Sequence, residues 1–164
     1  MQLTIALPVC AEVLGLDPDD LLEIEPQRLS AGNPNIFIAV RDKNAVNRAL
    51  LDLGRLRKLK GAERGAVCVF VFTPTTEGAY SRMFAPDFGV PEDPATGSAT
   101  GPLAAYIMRH KLITNSDGTR FHSEQGTAMG RKSILYVQVN GDHGAKSIEV
   151  GGHVTAAAEG TMRL

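Results

Sequence analysis

The sequence predicts one domain in which strands and helices alternate, and three observations carry that reading. At 164 residues, 43% hydrophobic and 21% charged, the chain has the size and composition of a single ordinary globular domain that buries about two-thirds of its unfolded surface. Segments with strand and helix periodicity alternate along its length. No repeat of fixed short period and no low-complexity tract interrupts that order.

Taken in order, Ala11 to Leu16 reads as a short helix ended by Gly15, and Asp17-Pro18-Asp19-Asp20 starts another turn. Residues 1–30 are therefore expected to be a linker segment with helical turns, leading into a domain at 31–164. Gly32-Asn33-Pro34 is a turn that enters the first strand of that domain, Ile36 to Val40. Asn44 to Leu59 is expected as one amphipathic helix with Val46, Leu50, Leu53 and Leu56 on its apolar face. Ala66 to Phe72 is a continuous apolar run typical of a buried strand, and Tyr80 to Ala85 a strand of alternating type. A central helix follows at Ser98 to His110, then a short strand at Phe121 to Gly126. Ser133 to Val139 and Ser147 to Val150 make a hairpin-like pair around Asn140-Gly141-Asp142-His143-Gly144, with a last pair expected at Val154 to Ala158 and Thr161 to Leu164.

The chemistry concentrates where the central helix begins. Pro94 lacks an N–H and drives the preceding Asp93 toward an extended backbone, so that carboxylate is aimed from a rigid loop. Thr96 or Ser98 is the N-cap candidate. The small residues Gly97, Ser98 and Ala99 let a ligand reach the free N–H groups of the first turn, where the helix dipole favours a carboxylate or phosphate. The residues alone fit a quieter arrangement as well, with Asp93 stabilising the loop through an Asx turn and Ser98 serving only as a cap. Adjacent side chains on an extended chain point to opposite sides, so only one of Glu92 and Asp93 faces a ligand, and Glu92 is read as structural.

The run Arg82-x-Phe84-x-Pro86, then Gly89, then Glu92-Asp93-Pro94-Ala95-Thr96-Gly97-Ser98-Ala99, resembles the signature of the phenazine-biosynthesis PhzF-like isomerases. Glu124-Gln125-Gly126, Gly130-Arg131-Lys132-Ser133, Val150-Gly151-Gly152-His153-Val154 and Glu159-Gly160 extend the resemblance from about Leu14 onward. It implies a diaminopimelate-epimerase-like architecture, in which two pseudo-symmetric halves clasp a site and each offers a helix N-terminus to the ligand. This chain resembles the C-terminal half only, which implies an α+β fold with a mixed, mainly antiparallel sheet curled around a central helix.

In the family, the aspartate and serine matching Asp93 and Ser98 hold and orient the substrate, and backbone N–H groups near the serine bind its carboxylate. The resemblance thus implies Asp93 and Ser98 as catalytic residues and Thr96, Gly97, Ser98 and Ala99 as the substrate-binding segment, with no cofactor. Arg82, Gln125 and Arg131 are second-rank candidates; the arginines are available to pair with Glu92, Asp87 or a substrate anion, surface ion pairs being the commoner use. The family's proton-transferring glutamate follows a Gly-Asn-Pro segment, but after Gly32-Asn33-Pro34 the next acidic residues are Asp42 and Asp52, on a helical stretch. That glutamate is therefore expected outside this chain, in a separately encoded N-terminal half or replaced by a homodimer partner. The expected function is cofactor-independent proton transfer on a small anionic carboxylic acid. The alternative is a non-catalytic remnant or carboxylate-binding module of the same fold, and either way an exposed apolar face is expected.

Other function classes find little support. The formal net charge of −1, with both signs interspersed, gives no basic footprint for nucleic acid and no polybasic membrane patch. The start of the chain has no positive n-region and no window has the length of a membrane helix, so a soluble, cytoplasmic protein is expected. Cys10 and Cys68 are available for a disulfide or a thiol acid/base pair, but Cys68 lies in an apolar run and the Ala95–Ser98 segment holds no cysteine, which argues against two-thiol racemisation. His110, His122, His143 and His153 share no helical face and no carboxylate cluster, so no metal site is expected. Thr96 to Gly101 lacks the Gly-Lys-Ser/Thr ending of nucleotide loops, and Ser98 lacks the G-x-S-x-G frame of a hydrolase nucleophile.

Overall fold

The computed structural model describes residues 5–60, 65–113, 119–141 and 147–162. Among these, the strands are β1 (Gln27–Ser30), β2 (Pro34–Ala39), β3 (Cys68–Thr75), β4 (Gly78–Ala85), β5 (Val90–Asp93), β6 (Arg120–Gln125), β7 (Ser133–Asn140) and β8 (Ser147–Gly151). The helices are α1 (Leu7–Leu14), α2 (Lys43–Arg48), α3 (Leu53–Lys60) and α4 (Gly97–His110). The strands form one sheet in the order β1-β2-β3-β4-β6-β7-β8, with β5 joined to β4. Pairs β2–β3 and β4–β6 are parallel and the rest antiparallel.

The sheet curls around α4. That helix touches β1 and β2 near one end of the strand order and β7 and β8 at the other. With neighbouring strands about 4.8 Å apart, a flat sheet could not bring both ends to one helix. The core enclosed by the curl is built on Phe37, Phe70, Phe72, Leu103, Tyr106 and Ile107. Tyr106 meets Phe72 edge-on at 5.6 Å, and its hydroxyl donates to the Glu25 carbonyl at 2.8 Å. Tyrosine is tolerated there because its single polar atom finds a partner.

On the opposite face of β2, β3 and β4, Ile36, Ile38, Val69 and Val71 pack with Val13, Leu14, Val46 and Leu56 of the first three helices. The segment expected as a linker thus contributes Ile5, Cys10, Ala11, Val13, Leu14 and Leu21 to this core. Gly15 ends α1 with φ 61°, a conformation in which its lack of a Cβ avoids strain.

The helix expected over 44–59 is two helices, broken at 49–52. The C-terminal carbonyls of α1 cause the break: Leu50 N–H donates to Leu14 O and Asp52 N–H to Val13 O, both at 2.8 Å. The chain gives up its own helical bonds to satisfy those orphan acceptors, and Asp52 restarts the helix by accepting the Arg55 N–H at 2.9 Å. Of the expected apolar face, Val46 and Leu56 are buried while Leu50 is 72% and Leu53 45% exposed.

Two strands escaped the sequence pattern. β1 is four residues of mixed polarity, and β5 carries Pro91, Glu92 and Asp93, which read as loop. The β7–β8 pair is present with Tyr136 opposite Gly151, while residues 142–146 of its expected turn lie outside the described residues. No strand forms over 154–162, an exposed stretch with no regular structure; 163–164 lie outside the described residues. Among the described residues no helix is long and apolar enough to cross a membrane.

Candidate functional site

β4 and β5 pair with Met83 opposite Asp93, which fixes the last residue of β5 against the sheet. Pro94 then turns the chain and α4 begins at Gly97. Glu124-Gln125-Gly126, at the end of β6, stands behind this turn. Gly126 has φ 77°, and a Cβ built on it would lie 2.7 Å from the Pro94 carbonyl oxygen and 2.4 Å from that of Arg131. Only glycine permits that approach.

Gln125 is completely buried. Its Nε2 donates to the Asp93 carbonyl at 2.6 Å and to Thr96 Oγ1 at 3.0 Å, while its Oε1 accepts the Thr96 N–H at 3.2 Å. Thr96 occupies the N-cap position but caps nothing with its side chain. Its hydroxyl donates instead to Asp93 Oδ2 at 2.5 Å. The N–H groups of Gly97 and Ser98 have no hydrogen-bond partner among the described residues, whereas Ala99 and Thr100 N–H both reach Thr96 O. Gly97 and Ser98 are exposed, and a Cβ at Gly97 would meet nothing within 4 Å.

Gly97 opens onto a cavity of about 570 Å³ whose lining also includes Ala95, Lys132, Ser133, Gly152 and His153, while Asp93, Thr96, Ser98 and Ala99 are not part of that lining. The sequence reading selected Arg131, but the neighbouring Lys132 and Ser133 line the cavity. The signal for this was the β6–β7 register, which sets Ser133 opposite Gln125, and no local pattern displays it. Lys132 Nζ lies 3.3 Å from Glu124 Oε2. Burial pushes the Glu124 carboxyl up, but the Thr127 hydroxyl and Lys132 outweigh it and hold the group below the usual range.

Arg82 lies on the face of β4 away from α4. Its Nε and Nη2 bind Glu92 at 2.9 and 2.8 Å, and its Nη1 donates to the carbonyls of Val46, Asn47 and Ala49 around the end of α2. Its guanidinium is thus committed to protein acceptors, and Glu92 has the structural use expected of it. Both cysteines are free and buried. Burial pushes Cys10 up to about 12; burial and then the Asp87 and Asp93 charges push Cys68 up to about 11.

A model of the phenazine biosynthesis-like protein family, PhzC-PhzF, matches residues 9–160. The chain belongs to this family. An uncharacterised isomerase of Clostridium acetobutylicum is 34% identical over 141 residues, covering 79% of this PhzC-PhzF chain and 44% of the relative. The trans-2,3-dihydro-3-hydroxyanthranilate isomerase of Pseudomonas aeruginosa is 44% identical over 85 residues, covering 51% of this chain and 30% of that enzyme. The solved structure of a predicted epimerase from the same organism matches with TM-score 0.71 at 32% identity, covering 93% of this chain and 51% of that one. The α+β fold, with its mixed and mainly antiparallel sheet, is the fold of the family's solved structures. The chain spans about half the length, or less, of these relatives.

Proposed function

We propose that this chain forms the C-terminal half of the active site of a cofactor-independent isomerase that moves a proton at a carbon of a small carboxylic acid. One observation carries the reading: the Thr96 side chain turns to Asp93 and leaves the Gly97 and Ser98 N–H groups open beside the exposed Ser98. A substrate carboxylate seats on these N–H groups, where the helix dipole favours negative charge. Asp93 and Ser98 orient the reacting carbon, with Thr96 and Ala99 completing the binding segment. Removing a proton next to a carboxylate builds negative charge, and donors already in place stabilise it without reorganisation.

The group that transfers the proton comes from the other half of the clasp, either a separate N-terminal half or a second copy of this chain, in a cytoplasmic assembly. The name of the P. aeruginosa relative makes amino- and hydroxyl-bearing cyclic carboxylates the first substrates to test.

The test is a titration of the isotopically labelled chain with benzoate and 2-aminobenzoate, followed by amide NMR. The Gly97 and Ser98 amides are expected to shift most, and shifts confined to other parts of the chain would overturn the reading. Turnover is then sought as solvent deuterium at a ring carbon of a non-aromatic, amino- and hydroxyl-bearing cyclic carboxylate, with and without an N-terminal half supplied in trans. Binding without deuterium uptake in either case would make the chain a carboxylate-binding module.

A further inference from the structure

Gln125 is more than a buried polar residue. Its amide has only one possible orientation, because the backbone fixes it from both sides. The Thr96 N–H is a donor and requires Oε1, while the Asp93 carbonyl is an acceptor and requires Nε2. With Nε2 so placed, its second proton goes to Thr96 Oγ1, 3.0 Å away. That contact makes Thr96 Oγ1 an acceptor and directs the hydroxyl proton to Asp93 Oδ2. The direction of the whole relay, Gln125 to Thr96 to Asp93, is therefore set by main-chain groups. The second oxygen of the carboxylate, Oδ1, has no hydrogen-bond partner among the described residues.

We propose that Gln125 is a positioning residue that acts through Thr96, holding Asp93 with Oδ2 bound and Oδ1 free to accept a hydrogen bond from a substrate. The amino- and hydroxyl-bearing carboxylates proposed above carry such an N–H or O–H donor near the carboxyl group. Gly126 supports the device because, lacking a Cβ, it lets the chain just after Gln125 lie against the Pro94 carbonyl. A structural glutamine would need only to satisfy its own amide. This one also fixes the hydroxyl rotor of Thr96, and without that constraint Thr96 is free to turn and cap α4 in the ordinary way.

The inference rests on the reading of Asp93 and Ser98 given above, and the experiment separates the two. Calorimetry on the whole chain compares 2-aminobenzoate with benzoate, which presents the same carboxylate without the donor. The native chain is expected to bind 2-aminobenzoate about tenfold more tightly, the worth of one hydrogen bond to a charged acceptor. Thr96→Val and Gln125→Leu are expected to bring that ratio close to one; each ratio is taken within one variant, so a change in carboxylate affinity common to both probes cancels. Thr96→Ser keeps the hydroxyl and is expected to keep the ratio.

A ratio retained in Gln125→Leu or Thr96→Val overturns the positioning role and leaves the site reading standing. If Gln125→Leu does not fold, the comparison of Thr96→Val with Thr96→Ser decides, and equal ratios in the two overturn the proposal. A native chain that binds both probes equally overturns this inference and leaves the carboxylate site standing, and one that binds neither overturns the site reading and this inference with it.

Discussion

Arg82 and Glu92 form a two-pronged ion pair largely shielded from water, with side chains 11% and 15% exposed. The pair ties β4 to β5 one residue before Asp93. Alternation along the strand sends Glu92 to one side and Asp93 to the other, so the ion pair holds the strand while the neighbouring carboxylate is left to the site. Breaking such a pair from one side strands a buried charge and costs about 3–5 kcal/mol. Arg82→Ala is expected to fall in that range by urea denaturation. Arg82→Lys is expected to recover little, since an ammonium cannot bind both carboxylate oxygens and reach the carbonyls of Val46, Asn47 and Ala49.

Gly126 and Gly89 give a second comparison. Both have positive φ, 77° and 73°, but an added Cβ meets the backbone oxygens of Arg131 and Pro94 at Gly126 and nothing within 4 Å at Gly89. Gly89→Ala is expected to cost only the strain of a left-handed residue, about 1–2 kcal/mol. Gly126→Ala is expected to cost clearly more and to shift the amide signals of Asp93 to Ser98, because the Pro94 main chain must move. Equal losses for the two variants would show that the packing of Gly126 on Pro94 is unimportant.

These comparisons mark what the sequence made legible. Pro94, the small residues at 97–99 and the apolar run of the central helix located the start of α4 from local chemistry alone. The separation of Glu92 from Asp93 followed from strand alternation. The roles of Gln125, Lys132 and Ser133 depend on β6 and β7 standing behind a turn some thirty residues earlier, a relationship that only the sheet register creates. The break at 49–52 was hidden for the same reason. Its cause is a pair of carbonyls on α1, and the 3.6-residue period of Val46, Leu50, Leu53 and Leu56 records nothing of them. β5 was illegible because proline and two carboxylates deny it any strand pattern, and pairing with β4 overrides that preference.

The cysteines predict a pH dependence. Cys10 and Cys68 have folded-state values raised to about 12 and about 11 from an ordinary 9.0. A raised value means that the native chain holds its protons longer than the unfolded one. The associated stability is full below about pH 9 and is lost as pH rises toward 11 and 12. Denaturation midpoints are expected to fall over that window, and less steeply in the Cys10→Ala/Cys68→Ala variant. A residual slope remains because burial also raises the Tyr106 phenol. At pH 8 neither thiol is expected to react with an alkylating reagent until the chain is unfolded, and rapid native-state labelling would contradict the burial of both.

The break between α2 and α3 leaves apolar side chains exposed. Leu50 and Leu53 line a cleft of about 440 Å³ together with Phe84, Pro86, Gly89 and Pro91, and Phe88 and Val90, the chain neighbours of Gly89, are exposed. Covering a fully exposed leucine or phenylalanine yields about 1.5–3 kcal/mol, so several together are enough to drive association. Light scattering over a range of concentrations is expected to show a mass above that of one chain, with a dye for apolar surface binding the dilute protein. Leu50→Asp is expected to shift the mass toward a single chain without lowering stability, because Leu50 is 72% exposed and makes its one described backbone bond through an N–H that the substitution keeps. A multimer that survives Leu50→Asp would place the contact on another face. A native chain that stays monomeric at every concentration and binds no dye would remove this surface from consideration as an interface.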